Sequence, residues 1–486
     1  MKPTHLEPPI TVLLGLPFHD ITLEEALDYC ADAMRGTTNR YLVTANVDFT
    51  TQAFEDPDLK KIVFFADRVV CDGMPLVWLS KLLGSPLRER VAGSDMVPKL
   101  LEICGREGHS VYFLGSDVDT LIEAKGIVEA RYPGLRVVGV DSPPIGAVVE
   151  WDNDMLCEKM RASGAQLLLA CLGCPKQERW IFAHHRETGI PLSIGVGASL
   201  DFITGKQKRA PVWMQKSGFE WFWRMSSSPR RLVSRYSKDF VFLIKASLLQ
   251  LNSQRRRKRK EVVPRDTVRD EMPLSEPVMR ISWHGELQNS ELSGAPVPET
   301  VTAPVLLDTS KITFLDSSGL GRLALLARIC RSANQMLIVV NQSPVFAKSI
   351  RAVRMESLFS SAKSEKAAIE LIQKHTESGG VLQKSEEGVV WVAFSRSLDA
   401  LYHEEMMDIL EKAITGSAGI HTLVVNLKEV SFIDSRAVGG LIRAWKTMTS
   451  NGGQMFLYGA NSGVSEIIAL LRLDKFLTEW KGAPPA

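Results

Sequence analysis

The sequence predicts an α/β protein made of one large unit followed by two small, related ones, and three observations carry that reading. Over the first half, short runs rich in Val, Leu and Ile alternate with helical periods, the pattern of a largely parallel sheet covered by helices. In the second half, Thr313-Phe314-Leu315-Asp316-Ser317-Ser318-Gly319-Leu320-Gly321 recurs 118 residues later as Ser431-Phe432-Ile433-Asp434-Ser435-Arg436-Ala437-Val438-Gly439-Gly440. That is a domain-sized period, so it marks two tandem copies rather than a solenoid. Finally, 486 residues exceed what one hydrophobic core organises.

The first unit's strands are expected at Arg40–Thr44, Ser110–Leu114, Leu135–Val140, Gln166–Leu172 and Leu192–Val196. Helical periods occupy Leu23–Arg35, Val118–Tyr132, Asp152–Ser163 and Gln177–Thr188. Parallel strands bind ligands at their carboxyl ends, where loops meet helix N-termini. The loops to watch are therefore Thr44-Ala45-Asn46, Gly115-Ser116-Asp117, Gly173-Cys174-Pro175 and Gly195-Val196-Gly197. Each copy in the second half has a strand (Val305–Leu307, Leu423–Leu427), a helix after the repeated motif (Leu320–Ser332, Val438–Thr449) and a further strand (Met336–Val340, Gln454–Tyr458). The boundaries read as 1–253, a basic linker over 254–275, a first repeat over 276–375 and a second over 384–486, with the joint within Gln373–Gly388.

Hydrophobic residues make up 45% and charged residues 23%, a soluble globular composition. No apolar stretch approaches the ~20 residues of a membrane span, and Met1–Pro9 lacks the pattern of a secretory signal. Seven cysteines without a regular framework suit a reducing cytoplasm. Cys171 and Cys174 have redox-motif spacing, yet they close an apolar run as a buried strand end does, and no second pair accompanies them. Net charge is only +2, so the run of nine Lys/Arg against one acid between Gly205 and Lys238 is a local feature. Arginines there alternate with Trp213, Trp221 and Trp223, which joins anion binding to interfacial anchoring. Phe240–Leu249 is apolar over half a bilayer, and six basic residues, Arg255–Lys260, follow closely. The combination favours an anionic lipid surface over nucleic acid, for which stacking platforms at strand spacing are absent.

Several residues have the chemistry of group transfer. Transfer of a group to a hydroxyl needs a carboxylate that takes the hydroxyl proton, and Asp72, before Gly73 at a strand-to-loop junction, is placed for it. An Asp-Gly pair is also ordinary turn chemistry. Thr44 and Asn46 sit at a strand's carboxyl end, where they would hold a ligand or form an Asx turn; Gln177 and Glu178 open a helix, where they bind a ligand or cap it. A leaving diphosphate needs positive charge, which Arg90, Arg224, Arg231 and Arg235 supply. Metal-dependent transferases often use Asp-x-Asp instead; of the three such pairs, Asp117/Asp119 and Asp152/Asp154 look like helix N-caps, and Asp56/Asp58 is the third.

Residues 10–251 resemble the WecG/TagA/CpsF family of bacterial glycosyltransferases. The segments that carry the resemblance are Thr44–Asp48, Ala66-Asp67 with Asp72–Pro75, Glu89–Asp95, Phe113–Gly115, Gly173–Trp180, Gly195–Ala198 with Asp201, and the Arg209–Arg235 tail, in family order. The resemblance implies a Rossmann-like domain that needs no cofactor and no metal, and inverts at the anomeric carbon. It implies transfer of an N-acetylmannosamine-type sugar from a UDP-sugar to a polyprenyl-diphosphate-linked acceptor, in surface polysaccharide biosynthesis. Asp72, Thr44 and Asn46 match the catalytic positions, and Arg90, Gln177, Glu178, Asp201, Arg209, Arg224, Arg231 and Arg235 the substrate-binding ones. It further implies a cytoplasmic protein, peripheral on the inner face of the membrane. Ser234 stands where the family often has a further arginine, and Asp141–Pro144 lacks a glycine-aromatic pattern, which bears on the donor sugar more than on the reaction class.

The two repeats resemble STAS domains, found in anti-sigma factor antagonists and sulphate-transporter tails. The resemblance implies phosphorylation of the serine after the motif aspartate, here Ser317 and Ser435, by a kinase, and docking of a kinase or an anti-sigma-type protein. Asp316–Gly319, between strand and helix, reads as an exposed turn that a kinase can reach, and a plain helix N-cap reads equally well. The basic linker is expected to let the two halves move separately, and homo-oligomers are compatible with either half. The competing reading from another class is a STAS signalling scaffold with a catalytically inactive nucleotide-sugar-binding domain.

Overall fold

A computed structural model describes residues 7–482 except 147, 149–150, 208, 212, 215–221, 224–228, 255–277, 289–292, 334, 378–380, 385–387, 395–397, 399–401, 416–420, 431–432, 434, 462–463, 466–467 and 469–475. The chain divides into two compact units, Met1–Pro144 with Asp152–Ala368, and Ile145–Trp151 with Ile369–Ala486.

The first unit opens with an antiparallel hairpin, β1 (Ile10–Leu13) and β2 (Leu16–His19), turned by Leu14 and Gly15 at positive φ. Helix α1 (Leu23–Arg35) starts on a capping box in which Thr22 and Glu25 satisfy each other's backbone N–H. Then β3 (Arg40–Ala45), α2 (Val47–Glu55), α3 (Pro57–Phe64), β4 (Arg68–Cys71), α4 (Met74–Leu82), α5 (Gly93–Glu107) and β5 (Ser110–Gly115) follow. They are succeeded by α6 (Val118–Arg131), β6 (Arg136–Asp141), α7 (Asn153–Ser163), β7 (Leu167–Cys171), α8 (Lys176–His184), β8 (Leu192–Gly195) and the short α9 (Ser199–Ile203). Six strands form one sheet in the order β4-β3-β8-β7-β5-β6, and every neighbouring pair is parallel. Helices bury both faces, so β5 is buried at every residue and β7 at all but its last.

The five expected strands are β3, β5, β6, β7 and β8, and the four expected helices are α1, α6, α7 and α8. The sequence reading missed β4, only four residues long, and the hairpin. The tail's apolar decapeptide lies inside a longer helix, α10 (Pro229–Ser253).

The first repeat adds a parallel sheet, β12-β11-β10-β9, from β9 (Met279–Leu287), β10 (Val305–Leu315), β11 (Leu337–Val340) and β12 (Ser360–Ala362). Helices α11 (Ser317–Ser332), α12 (Pro344–Val353) and α13 (Glu365–Glu377) complete it. The repeated Thr313-Phe314-Leu315 is the end of β10, and the helix begins at Ser317, where Asp316 accepts hydrogen bonds from the Ser318 and Gly319 N–H groups.

The first repeat packs against the first half of the chain, within the compact unit that runs on to Ala368. Ile10, Val12 and Phe64 of the first half pack in one core with Trp283, Leu307, Leu320 and Phe346 of the repeat. A β-carbon on Gly321 would lie 1.8 Å from Ile10 O, so helix and hairpin meet at backbone distance. The buried Lys60 Nζ donates to Val353 O and Arg354 O at 3.0 Å each, a cation on the carbonyl end of α12. Arg328 donates to Ala66 O and Asp67 O, at 3.3 and 3.1 Å.

The second unit holds β13 (Val381–Lys384), β14 (Val389–Ala393), α14 (His403–Thr415), β15 (Thr422–Asn426), α15 (Ser435–Ser450), β16 (Gln454–Tyr458) and β17 (Thr478–Glu479). Its strands pair in chain order, and all pairs are parallel except β13 with β14. Val392, Leu410, Leu423, Leu441 and Met455 build its core. The expected joint, Gln373–Gly388, is largely structured: it takes in the end of α13 and all of β13.

Candidate active site

Four neighbouring strands, β4, β3, β8 and β7, deliver the sequence-predicted residues to one edge of the sheet. Asp72 follows β4, Thr44 and Asn46 end β3, Asp201 follows β8, and Gln177 and Glu178 follow β7. Helix α5 closes the group. Asp72 Oδ2 accepts from Gly93 N at 3.3 Å, so the carboxylate sits on the positive end of α5. A β-carbon on Gly93 would come 3.3 Å from Thr44 Oγ1, so Thr44 and Asp72 meet the same residue. Thr44 Oγ1 in turn donates to Gly195 O at 3.4 Å.

Asn46 spends its side-chain oxygen capping α2, accepting from Phe49 N at 2.9 Å. It lies beside Asp72, whose N–H donates to Ala45 O across the β3–β4 pair at 2.9 Å. Gln177 is not a helix cap. Its Oε1 accepts from Gly173 N and Gly197 N, both at 3.1 Å, and so ties the loop after β7 to the loop after β8. Its Nε2 donates to Glu178 Oε1 at 2.8 Å. Asp201 accepts from Gln207 Nε2 at 3.0 Å, and burial raises its carboxyl above the ordinary range.

Glu178 is the least ordinary group of the site. It is buried, its Oε2 has no hydrogen-bond partner among the described residues, and burial pushes its carboxyl up to about 7. A carboxyl so raised binds its proton more tightly folded than unfolded. Its favourable contribution is therefore complete below the ordinary carboxylate range and is lost as pH rises toward 7, an effect of up to about 3 kcal/mol. We expect the melting temperature of the protein to fall between about pH 5 and about pH 8, and Glu178→Gln to flatten that fall. Denaturation scans across pH check it; an equal fall in the variant would assign the pH dependence to other groups.

The arginines stand around this edge on acidic partners. Arg90 Nη2 and Arg209 Nη2 meet the two oxygens of Asp95, in the first turn of α5, at 2.7 and 2.8 Å. Arg235, exposed on α10, meets Asp48 Oδ2 of α2 at 2.6 Å. Asp95 and Asp48 are the functional neighbours the sequence reading left without a role; each lies in a quoted motif, but only tertiary contact reveals its arginine. Arg224 lies outside the described residues, as do the side chains of Arg231 and Ser435.

None of the three Asp-x-Asp pairs reads as a metal-holding motif. Asp117 and Asp152 cap α6 and α7 as expected, and Asp56 caps α3 through the N–H groups of Asp58 and Leu59. Among the described residues, one cluster has metal-ligand chemistry: Cys157, His184 and Glu187, with ligating atoms within 4.8 Å of one another. It joins Cys157 of α7 to His184, the last residue of α8, and Glu187 in the turn that follows. Burial raises the Cys171 and Cys174 thiols, which suits packing rather than redox exchange.

Ser317 corrects a further expectation, for it is not on an exposed turn. It is fully buried, and its hydroxyl accepts from Gln250 Nε2 of α10 and from Gln254 Nε2 just beyond that helix, each at 3.1 Å. The next residue, Ser318, donates to Ser85 Oγ at 2.9 Å. The strand-helix junction that should face a kinase faces the first half of the chain.

The family model described as glycosyl transferase WecG/TagA/CpsF matches residues 11–258, and that of the STAS domain matches residues 382–482. The N-acetylglucosaminyldiphosphoundecaprenol N-acetyl-beta-D-mannosaminyltransferase of Bacillus spizizenii is 29% identical over 191 residues, 39% of this chain and 72% of that protein. The protein of the same name from Staphylococcus aureus strain MW2 is 25% identical over 235 residues, 48% of this chain and 90% of that one. Among solved structures, an anti-sigma factor antagonist of Thermotoga maritima aligns with 21% of this chain and 86% of its own, at 19% identity and a TM-score of 0.20.

Proposed function

The chain belongs to the WecG/TagA/CpsF family of glycosyltransferases and is a hexosyltransferase, and on that premise we propose the following reaction. It moves an N-acetylmannosamine-type sugar from a UDP-sugar to a polyprenyl-diphosphate-linked acceptor, with inversion and without a metal ion, in surface polysaccharide assembly. The observation that carries this is the convergence of Asp72, Thr44, Asp201, Gln177 and Glu178 on the carboxyl ends of four adjacent strands, with Arg90 and Arg209 beside them. Asp72 accepts the proton of the acceptor hydroxyl as its oxygen bonds to the anomeric carbon. The bond from that carbon to the β-phosphate oxygen breaks on the opposite face, and its electron pair leaves with UDP. Arginine forks match phosphate oxygens, so Arg90, Arg209 and Arg235 exchange their carboxylate partners for the diphosphate and carry its developing charge. Three helix-capping aspartates leave the Asp-x-Asp pairs occupied elsewhere, which supports arginine in the role a metal ion plays in other transferases.

The lipid acceptor brings the protein to the cytoplasmic face of the membrane. No helix among the described residues is long and apolar enough to cross a bilayer. Helix α10 exposes Phe240, Val241, Ile244, Leu248 and Leu249, a helical stripe suited to lying in an interface. The basic run Arg255–Lys260, outside the described residues, follows it. The second repeat is the docking module, with Ser435 at the start of α15 as its phosphoacceptor.

The test is UDP release from the full chain given UDP-N-acetylmannosamine and a short-chain polyprenyl-diphosphate-linked N-acetylglucosamine. Release that needs both substrates and survives a chelator is expected. Thermal stabilisation by the UDP-sugar without release would identify a scaffold with an inactive domain, and strong chelator inhibition would contradict the metal-independent step. Added anionic vesicles should retain the chain, and charge reversal over Arg255–Lys260 should free it without lowering turnover of the short acceptor.

A further inference from the structure

Gln250 has no part in the reaction above, yet it joins three pieces of the first unit. Its side chain is fully buried near the end of α10. Nε2 donates to Val12 O at 2.8 Å and to Ser317 Oγ at 3.1 Å, while Oε1 accepts from Leu14 N at 2.8 Å. Hairpin, tail helix and first repeat thus meet on one amide, and both of its donors and its acceptor are used. The repeat holds the same end of α10 twice more, through Gln254 Nε2 on Ser317 Oγ and Lys348 Nζ on Asn252 O at 2.8 Å. Toward the other end of α10, Arg235 reaches Asp48 of α2, and at mid-helix Phe242 packs edge-on against Phe54 at 5.1 Å between centroids.

We infer that the first repeat is a built-in clamp on the tail helix, and that Gln250 and Ser317 are positioning residues for sugar transfer. A helix is a rigid rod with a rise of about 1.5 Å per residue, so Arg235 stands about 22 Å from Gln250 on the same rod. Slipping the anchored end by one residue shifts the rod by about 1.5 Å and turns it by about 100°. That would carry Arg235 away from the active-site edge. The anchor is specific because a buried amide or hydroxyl without partners is costly, which penalises every other register. Ser318 extends the same contact to Ser85, in the connection between α4 and α5 that leads to Gly93 and hence to Asp72. A surface that the family resemblance would give to an outside protein is here occupied by the chain's own tail.

The inference rests on the assignment of Arg235 to the diphosphate, so its test has a readout apart from turnover. In the full chain, Gln250→Ala should raise backbone hydrogen exchange over Arg231–Lys245 while β3 and β4 stay protected. In the transfer assay, kcat should fall about 100-fold, the loss expected of a misplaced group, with the donor KM within about twofold of the parent. Arg235→Ala should show the same loss, and the double variant should be no worse than Arg235→Ala alone, because the two changes remove one contribution. If Gln250→Ala does not fold, Ser317→Ala, which removes an acceptor and adds no volume, should give the same pattern in milder form. Unchanged exchange over α10, or multiplicative losses in the double variant, would overturn the clamp. A parent chain that transfers no sugar would sink the proposed reaction and leave the exchange result to decide the clamp.

Discussion

Asp72→Asn is expected to bind UDP-sugar as the parent does and to lose turnover by about 10²–10⁴-fold, the contribution of a positioned base. The amide has nearly the shape of the carboxylate, and its oxygen can still accept from Gly93 N, so α5 and the β3–β4 edge keep their geometry. What it lacks is basicity: it cannot take the hydroxyl proton as the acceptor oxygen attacks. The change should therefore appear in kcat with little movement of the donor KM, because the loops tied by Gln177 that hold the donor stay in place. Donor titration by thermal shift, run beside steady-state kinetics, separates the two effects. Turnover near that of the parent would remove Asp72 from the mechanism and turn attention to Glu178, the buried carboxyl of the site.

The second large effect is on folding. Ending the chain after Ser253, where the sequence places the end of the transferase domain, should give a protein that aggregates or melts far below the parent. The cut strips the cover from Ile10, Val12 and Phe64, each now within the core of the first repeat. At about 1.5–3 kcal/mol for each buried side chain, the loss is about 5–9 kcal/mol, comparable with the about 5–15 kcal/mol that holds a whole domain. It also strands buried polar groups: Lys60 loses both carbonyl partners, and Gln250 loses Ser317. Ending the chain after Glu377 keeps every one of these contacts and should melt as a cooperative unit near the parent's first transition. Scanning calorimetry of the two truncations checks the pair. Similar melting of both would make the first repeat a passenger on the transferase.

The contrast between these two cuts shows where sequence reading succeeds. The strands β3, β5, β7 and β8 are legible because burial on both faces demands unbroken apolar runs such as Leu167-Leu168-Leu169-Ala170. The site residues are legible for a related reason. A parallel sheet puts its loops at the carboxyl ends, so Asp72, Thr44, Gln177 and Glu178 had to share one edge once their strands were neighbours. Asp117 and Asp152 announce helix starts by local capping chemistry alone. Strand β4 was not legible because its apolar run, Val69-Val70-Cys71, is closed in by Arg68 and Asp72, whereas the equally short β8 sits within the mostly apolar run Ile190–Val196.

Contacts between segments far apart in sequence leave no such trace. Nothing in the spacing of Gln250 and Ser317 states that an amide and a hydroxyl will meet, and Asp316–Gly319 has the same local pattern whether it faces water or α10. The sequence by itself determined the α/β class, the repeated modules and the residues at the strand ends, because those follow from periodicity and short-range hydrogen bonding. Only the tertiary structure decided that Ser317 is buried, that Asp95 and Asp48 hold the arginines, and that the first repeat shares a core with the hairpin. The physical reason is that burial and ion pairing are properties of surfaces brought together, and the choice of surface is made by the packing of the whole unit.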